Sequence, residues 1–204
     1  MAFDSSSAAR GAAPIVPQAT KILVAGGFGV GKTTLVGAVS ETLPLRTEET
    51  LTEAGVGIDN LTGVAGKTTT TVAMDFGRIT ISSQLVLYLF GTPGQDRFFF
   101  VWDELAVGAL GAVVLADTRR LEDSFLSIDY FERIGMPFIV AVNCFDGARQ
   151  YEPYEVSVAL DLGAEIPVVL CDARSRESVK SVLITLLKHA QQRAQLQRTG
   201  AATS

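Results

Sequence analysis

Short apolar runs alternate along this chain with stretches whose apolar positions recur every three or four residues, the mark of strands interleaved with helices. Residues 21–25, 109–116, 138–142 and 167–171 are nearly unbroken apolar runs and read as buried strands. Residues 71–81 and 85–90 read as two strands of a hairpin joined by Ser82-Ser83-Gln84. Helices are predicted over residues 33–43, ending near Pro44, over an aromatic-rich turn at 98–105, and over 124–134, 153–160 and 177–195. In the last of these, Val179, Val182, Leu183, Leu186 and Leu187 fall on one face. Residues 46–70, rich in Gly and Thr and without periodicity, read as a long loop. Residues 1–19 are small and polar and read as a flexible leader, and residues 191–204 as a helix end and frayed tail. A single domain over residues 20–190 remains. The alternation predicts an α/β fold: a mostly parallel six-stranded sheet, one antiparallel edge strand, and helices on both faces.

Ligands of such sheets sit beyond the carboxyl ends of the strands. The turn after the first strand reads Gly26-Gly27-Phe28-Gly29-Val30-Gly31-Lys32-Thr33, which is G-x-x-x-x-G-K-[ST] between a strand and a helix. Glycines let backbone N–H groups turn inward around an anion, and the helix N-terminus adds partial positive charge. The motif assigns a nucleoside triphosphate to Gly26, Phe28, Gly29, Val30 and Gly31 of the loop, with Lys32, Thr33 and Thr34 at the helix start. Lys32 is placed to reach the β- and γ-phosphates, and the Thr33 hydroxyl to meet Mg²⁺. This makes the expected fold class that of a P-loop NTPase.

Composition narrows the partners. The 204 residues are 48% hydrophobic and 19% charged, a globular balance. A net charge of −5 leaves no basic surplus to displace counterions, so direct nucleic-acid binding is not expected. Cys144 and Cys171 lack metal-ligand spacing and point to a reducing compartment. The longest apolar run, residues 105–116, is too short to span a bilayer, and no basic-then-apolar signal or lipidation motif is present. The expected location is cytoplasmic, with any membrane recruitment left to a partner. His189, the only histidine, is expected at the surface or as a cap, without a role.

Four further loops follow strands in a telling order. Leu89-Phe90-Gly91-Thr92-Pro93-Gly94-Gln95-Asp96-Arg97-Phe98 resembles the second switch of small GTPases, D-T-A-G-Q-E-R-F. Asn143-Cys144-Phe145-Asp146 resembles the guanine-reading N-K-x-D, Asp172-Ala173-Arg174 the S-A-K loop, and Thr71 to Phe76 the end of the first switch. The likeness covers about residues 20–190. It implies that Gln95 orients the attacking water and that the Gly94 N–H meets the γ-phosphate. It implies that Thr71, or its neighbour Thr70, joins Thr33 at Mg²⁺. Asn143 would tie its loop to the phosphate loop, and a free Ala173 N–H would donate to the guanine O6. Asp146 can accept from the N1–H and 2-amino groups of guanine, which adenine cannot match.

The stretches TEAGVGIDNLT from Thr52, KTTTTVAMDF from Lys67, LYLFGTPGQDRF from Leu87 and VVLADTRRLEDSF from Val113 resemble the ATP/GTP-binding proteins of actinobacterial conservon operons, small Ras-like GTPases. That resemblance implies GTP and GDP as ligands. It also implies a roadblock/LC7-fold protein, a membrane sensor-kinase-like protein and a small DNA-binding-type regulator as partners. Three departures matter. The first-switch region is long, and Gly55, Gly57, Gly63 and Gly66 mark it as flexible. The second-switch aspartate that holds Mg²⁺ through water in small GTPases is Gly91 here, so weaker Mg²⁺ binding and slow hydrolysis are expected. The lysine of N-K-x-D is Cys144, which loosens the expected guanine preference. Among Arg97, Arg119 and Arg120 no sequence argument selects an arginine finger. The aromatic run Phe98-Phe99-Phe100 with Trp102 divides between partner surface and core, since a helix cannot bury consecutive side chains on one face. The leading expectation is a regulatory switch hydrolysing GTP slowly; the alternatives are a non-hydrolysing nucleotide scaffold and an ATP-binding P-loop protein.

Overall fold

The computed structural model describes residues 17–43, 45–52, 69–94 and 100–201. Strands β1 (Gln18–Ala25), β2 (Leu45–Thr52), β3 (Thr69–Ser82), β4 (Leu85–Gly91), β5 (Ala109–Ala116), β6 (Phe138–Asn143) and β7 (Val168–Cys171) form one sheet. They are interleaved with helices α1 (Lys32–Val39), α2 (Phe100–Ala106), α3 (Phe125–Arg133), α4 (Pro153–Ala159) and α5 (Arg176–Ala201). The order across the sheet is β2-β3-β4-β1-β5-β6-β7. From β4 to β7 every neighbouring pair is parallel, whereas β3 runs antiparallel to both β4 and β2.

The mostly parallel, doubly covered sheet is the expected architecture. The described residues form seven strands where six were expected, and β2 rather than β3 is the edge among them. The additional strand, LRTEETLT, lies where a loop was expected. Among the described residues it pairs with β3 alone, and a strand at the edge of a sheet needs no apolar face on both sides, so its polar sequence carries no strand signal. Of the rest of that expected loop, Thr69 and Thr70 belong to β3 and residues 53–68 lie outside the described residues, as do residues 1–16 of the leader. β1 takes in Gln18 and Ala19, which the leader was expected to hold, and α5 continues to Ala201.

Alternation along the central strands divides the core in two. Ile22 and Val24 of β1 face α1 and α5, packing with Leu35, Val36, Val182 and Leu186. Leu23 and Ala25 face α2, α3 and α4, packing with Trp102, Phe131 and Val156. Each Val, Leu, Ile or Phe side chain among these contributes about 1.5–3 kcal/mol over its exposed state. Trp102 stacks on Phe131 at 5.8 Å between centroids, while Phe100 is 62% exposed, so this part of the aromatic run does divide between core and surface. Phe98 and Phe99 lie outside the described residues. His189 is not a surface residue: it is 5% exposed, because it follows Leu186 by three positions on the inward face of α5. Its pKa is lowered, chiefly by that burial. Among the described residues no helix is long and apolar enough to cross a membrane.

Candidate nucleotide-binding site

The carboxyl ends of β1, β4, β6 and β7 meet at one rim of the sheet, and the loops that leave them carry the candidate site. The phosphate loop departs from β1 with Gly26 at φ 129° and reaches α1 through Gly31 at φ 109°, both in the region that favours glycine. A side chain on Gly31 would also strike Asn143 Nδ2 at 2.7 Å. Lys32 curls back over the loop, its Nζ donating to the carbonyls of Gly26 at 2.7 Å and Gly27 at 2.8 Å. Burial pulls the Lys32 pKa down to about 8, against the opposing charge of Asp75. Gly94 leans on this arrangement: a methyl there would stand 2.5 Å from Lys32 Nζ and 3.1 Å from the Gly27 carbonyl. The turn after β4 therefore lies directly over the phosphate loop. Gln95 and Arg97 lie outside the described residues.

Thr33, the expected Mg²⁺ ligand, donates its hydroxyl to Asp75 Oδ2 at 2.5 Å. Asp75 comes from β3, and sequence reasoning missed it. The signal was indirect: Gly91 stands where a carboxylate was expected, and only the strand register reveals what faces it. Hard oxygen donors from Thr33 and Asp75 suit Mg²⁺ at this position. Thr71 is not brought to them. It pairs with Thr50 of β2, four residues from Asp75, which is about 13 Å along an extended strand.

Two arginines after β5 take separate positions. Arg119 is committed to Asp117, with Nε to Oδ1 at 2.9 Å and Nη2 to Oδ2 at 2.7 Å, and its guanidinium lies 4.0 Å over the Phe145 ring. Arg120 instead reaches the phosphate loop, where Nη2 donates to the Phe28 carbonyl at 3.0 Å.

On the base side, Asn143 is buried at the end of β6. Its Nδ2 donates to the Val30 carbonyl at 2.9 Å, the expected tie to the phosphate loop. Its Oδ1 accepts from the Ala173 N–H at 3.1 Å. That corrects the expectation of a free Ala173 N–H: the donor meant for a base oxygen is already used. Asp146, 84% exposed, is gripped by Arg174 through Nη1 at 2.6 Å and Nη2 at 3.1 Å. Arg174 also donates to Asp172 at 2.9 Å through Nε, and its contact holds the carboxyls of both aspartates below their usual range. Cys144 is a free, half-buried thiol, and Cys171 a free buried one whose pKa burial raises to about 11. A groove of about 460 Å³ runs between α4 and β7 along Tyr154, Val158 and Val168, away from the phosphate loop.

A family profile described as a conserved hypothetical ATP binding protein matches residues 24–193. Uncharacterized protein MJ1339 of Methanocaldococcus jannaschii is 33% identical over 129 residues, covering 62% of this chain and 70% of that protein. Among solved structures, the G domain of the T. maritima FeoB iron transporter superposes with a TM-score of 0.61 at 22% identity, covering 85% of this chain and 99% of that one. The FeoB G domain from Methanococcus jannaschii gives a TM-score of 0.57 at 14% identity, with 85% and 99% covered. The T. maritima FeoB cytosolic domain in its GMPPNP form gives 0.61 at 20% identity, covering 84% of this chain and 64% of that one. At these identities the likeness establishes the fold: a P-loop G domain. Since the profile spans most of its length, the chain belongs to the family of conserved hypothetical ATP binding proteins.

Proposed function

We propose that this protein is a regulatory switch that binds GTP with Mg²⁺ and hydrolyses it slowly to GDP in a bacterial signalling system. The observation that carries this reading is the pair of hydrogen bonds made by the Asn143 side chain, which joins the phosphate loop at Val30 to the loop of Ala173 beside Asp146. A phosphate loop alone would serve any nucleoside triphosphate. Coupled to an exposed carboxylate, it gains an acceptor for the two donors on the guanine edge. The FeoB domain of the same fold, solved in a GMPPNP form, is consistent with that choice.

In this reading the N–H groups of the phosphate loop, from Gly26 through Gly31 and on to Thr34, surround the phosphates. Lys32 leaves its two carbonyls to meet phosphate oxygens. Thr33 would hold Mg²⁺, and Thr71 would join it were β3 to part from β2. Bound Mg²⁺ would neutralise charge on the phosphate oxygens. Gly94 moves off Lys32 and turns its N–H to the γ-phosphate, and Gln95 orients the attacking water. Asp146 reads guanine, and Arg174 either shares that carboxylate or releases it, with Asp172 holding the arginine in place. Membership of the conservon group, a roadblock/LC7-fold regulator and a membrane sensor-kinase-like partner rest on the sequence resemblance, and a cytoplasmic site of action on the cysteine usage and the shortness of the apolar runs.

A second reading, an ATP-binding P-loop protein, is favoured by the occupied Ala173 N–H and by the family's description. Displacement of a fluorescent GTP analogue separates the two. GTP is expected to compete at a concentration about tenfold or more below that of ATP, the factor for one lost hydrogen bond to a charged group. Equal potency would hand the site to ATP. Phosphate release from bound GTP in a single turnover then distinguishes the switch from a scaffold that never hydrolyses.

A further inference from the structure

The register of the antiparallel hairpin carries one consequence beyond the assignments above. Phe76 pairs with Phe90 and Gly77 with Leu89, and the same register extended one residue back along β3 sets Asp75 opposite Gly91, beyond the last bonded pair. Opposite residues of an antiparallel pair project to the same face. Here that face is the one α1 covers. The helix lies so close that a methyl on Gly77 would stand 2.7 Å from Val36 Cγ1. Two residues toward the start of α1 along the same strand face, Asp75 meets Thr33.

The side chain of Asp75 fills the space that a residue at Gly91 would use. A Cβ on Gly91 would lie 3.1 Å from Asp75 Cβ and 3.3 Å from Asp75 Oδ2. The carboxylate missing from the second-switch loop has a substitute in the same place, entering from the neighbouring strand. We propose that Asp75 is the acidic residue of the Mg²⁺ site, taking over from β3 the place that Gly91 vacates on β4. The proposal rests on the reading that this site binds a nucleoside triphosphate with Mg²⁺.

The chemistry is consistent with that position. A hydroxyl has one proton to give and two lone pairs. Thr33 therefore keeps donating to Asp75 while offering a lone pair to a cation. Mg²⁺ favours carboxylate, hydroxyl and phosphate oxygens together with retained waters, and holding a ligand through its outer partners tunes metal affinity strongly. The exchange also accounts for glycine at 91: with Asp75 in place, a second carboxylate there would meet both steric crowding and a like charge.

The test uses the full chain and reads nucleotide dissociation, not turnover. Release of a fluorescent guanine nucleotide is followed while free Mg²⁺ is titrated against EDTA. Wild-type protein is expected to retain nucleotide with Mg²⁺ and lose it quickly without. Asp75→Asn keeps an oxygen for Thr33 but not the charge. It should shift the half-saturating Mg²⁺ upward by roughly 10- to 100-fold, with release in EDTA unchanged. The swap Asp75→Gly with Gly91→Asp moves the carboxylate back across the strand pair and should recover most of that shift. If wild type is Mg²⁺-dependent and Asp75→Asn matches it, Asp75 only anchors Thr33 and the proposal is overturned. A wild type that shows no Mg²⁺-dependent retention at all would instead sink the triphosphate reading, and this assignment with it.

Discussion

Lys32 makes the binding reaction itself sensitive to pH. In the ligand-free protein its ammonium is buried against two carbonyls, and its pKa falls from the ordinary 10.5 to about 8. A polyphosphate brings several negative charges to the amine, which favours the protonated form and raises the pKa again. Binding at pH 8 should therefore draw up to about half a proton from solution, and binding at pH 6.5 almost none. Calorimetry in buffers of different ionisation enthalpy measures this uptake as a slope. A zero slope at pH 8 would mean that Lys32 does not meet the phosphates. The lysine was legible in the sequence because its motif is contiguous and its flanks are a strand and a helix. Asp75 was not, because its meaning depends on a partner 16 positions away, Gly91, and on a register that no local pattern encodes. The use of the Ala173 N–H was hidden for the same reason: its acceptor is Asn143, 30 positions back.

At the scale of elements, what could be read from the chain followed burial. β5, β6 and the second half of β1 are covered on both faces, so nearly every position there is apolar and the runs stand out. β2 has one neighbour and a polar, charged sequence, so it carries no such signal. The same lack of support makes the outer ribbon the natural moving part. From Thr69 to Asp75, β3 is paired to β2 alone, and only from Phe76 does it also pair with β4. Segments with a single bonded neighbour open at lower free energy than the core. For Thr71 to reach the phosphates the ladder between Thr71 and Thr50 has to break. Amide exchange in β2 and the first half of β3 should therefore differ between the GDP state and a non-hydrolysable triphosphate state, while β5 and β6 stay protected in both. Identical exchange in the ribbon would leave Thr71 on β3 and remove it from the metal site.

Across the whole molecule the proposed site would work as a clasp. Its loops leave strands on both sides of β1, and a bound nucleotide would span from the phosphate loop to Asp146. Any ligand that binds only the folded state stabilises it by about 2.7 kcal/mol at a hundred times its dissociation constant. For a chain of this size that raises the melting temperature by roughly 5–10 °C. Asn143 is the joint through which the two halves of the clasp are held, since one buried side chain satisfies both the Val30 carbonyl and the Ala173 N–H. Asn143→Ala leaves both groups without that partner, which should cost the ligand-free protein about 2–3 kcal/mol. It should also cost the ligand's increment, because the phosphate loop and the base loop would no longer be fixed relative to each other. Melting curves at one fixed GTP concentration test both effects together. A variant that melts lower but gains as much from GTP as the wild type would make Asn143 a core residue and nothing more. A joint between the phosphate and base loops requires the gain itself to shrink, and to shrink for GTP more than for inorganic triphosphate, which touches only one of them.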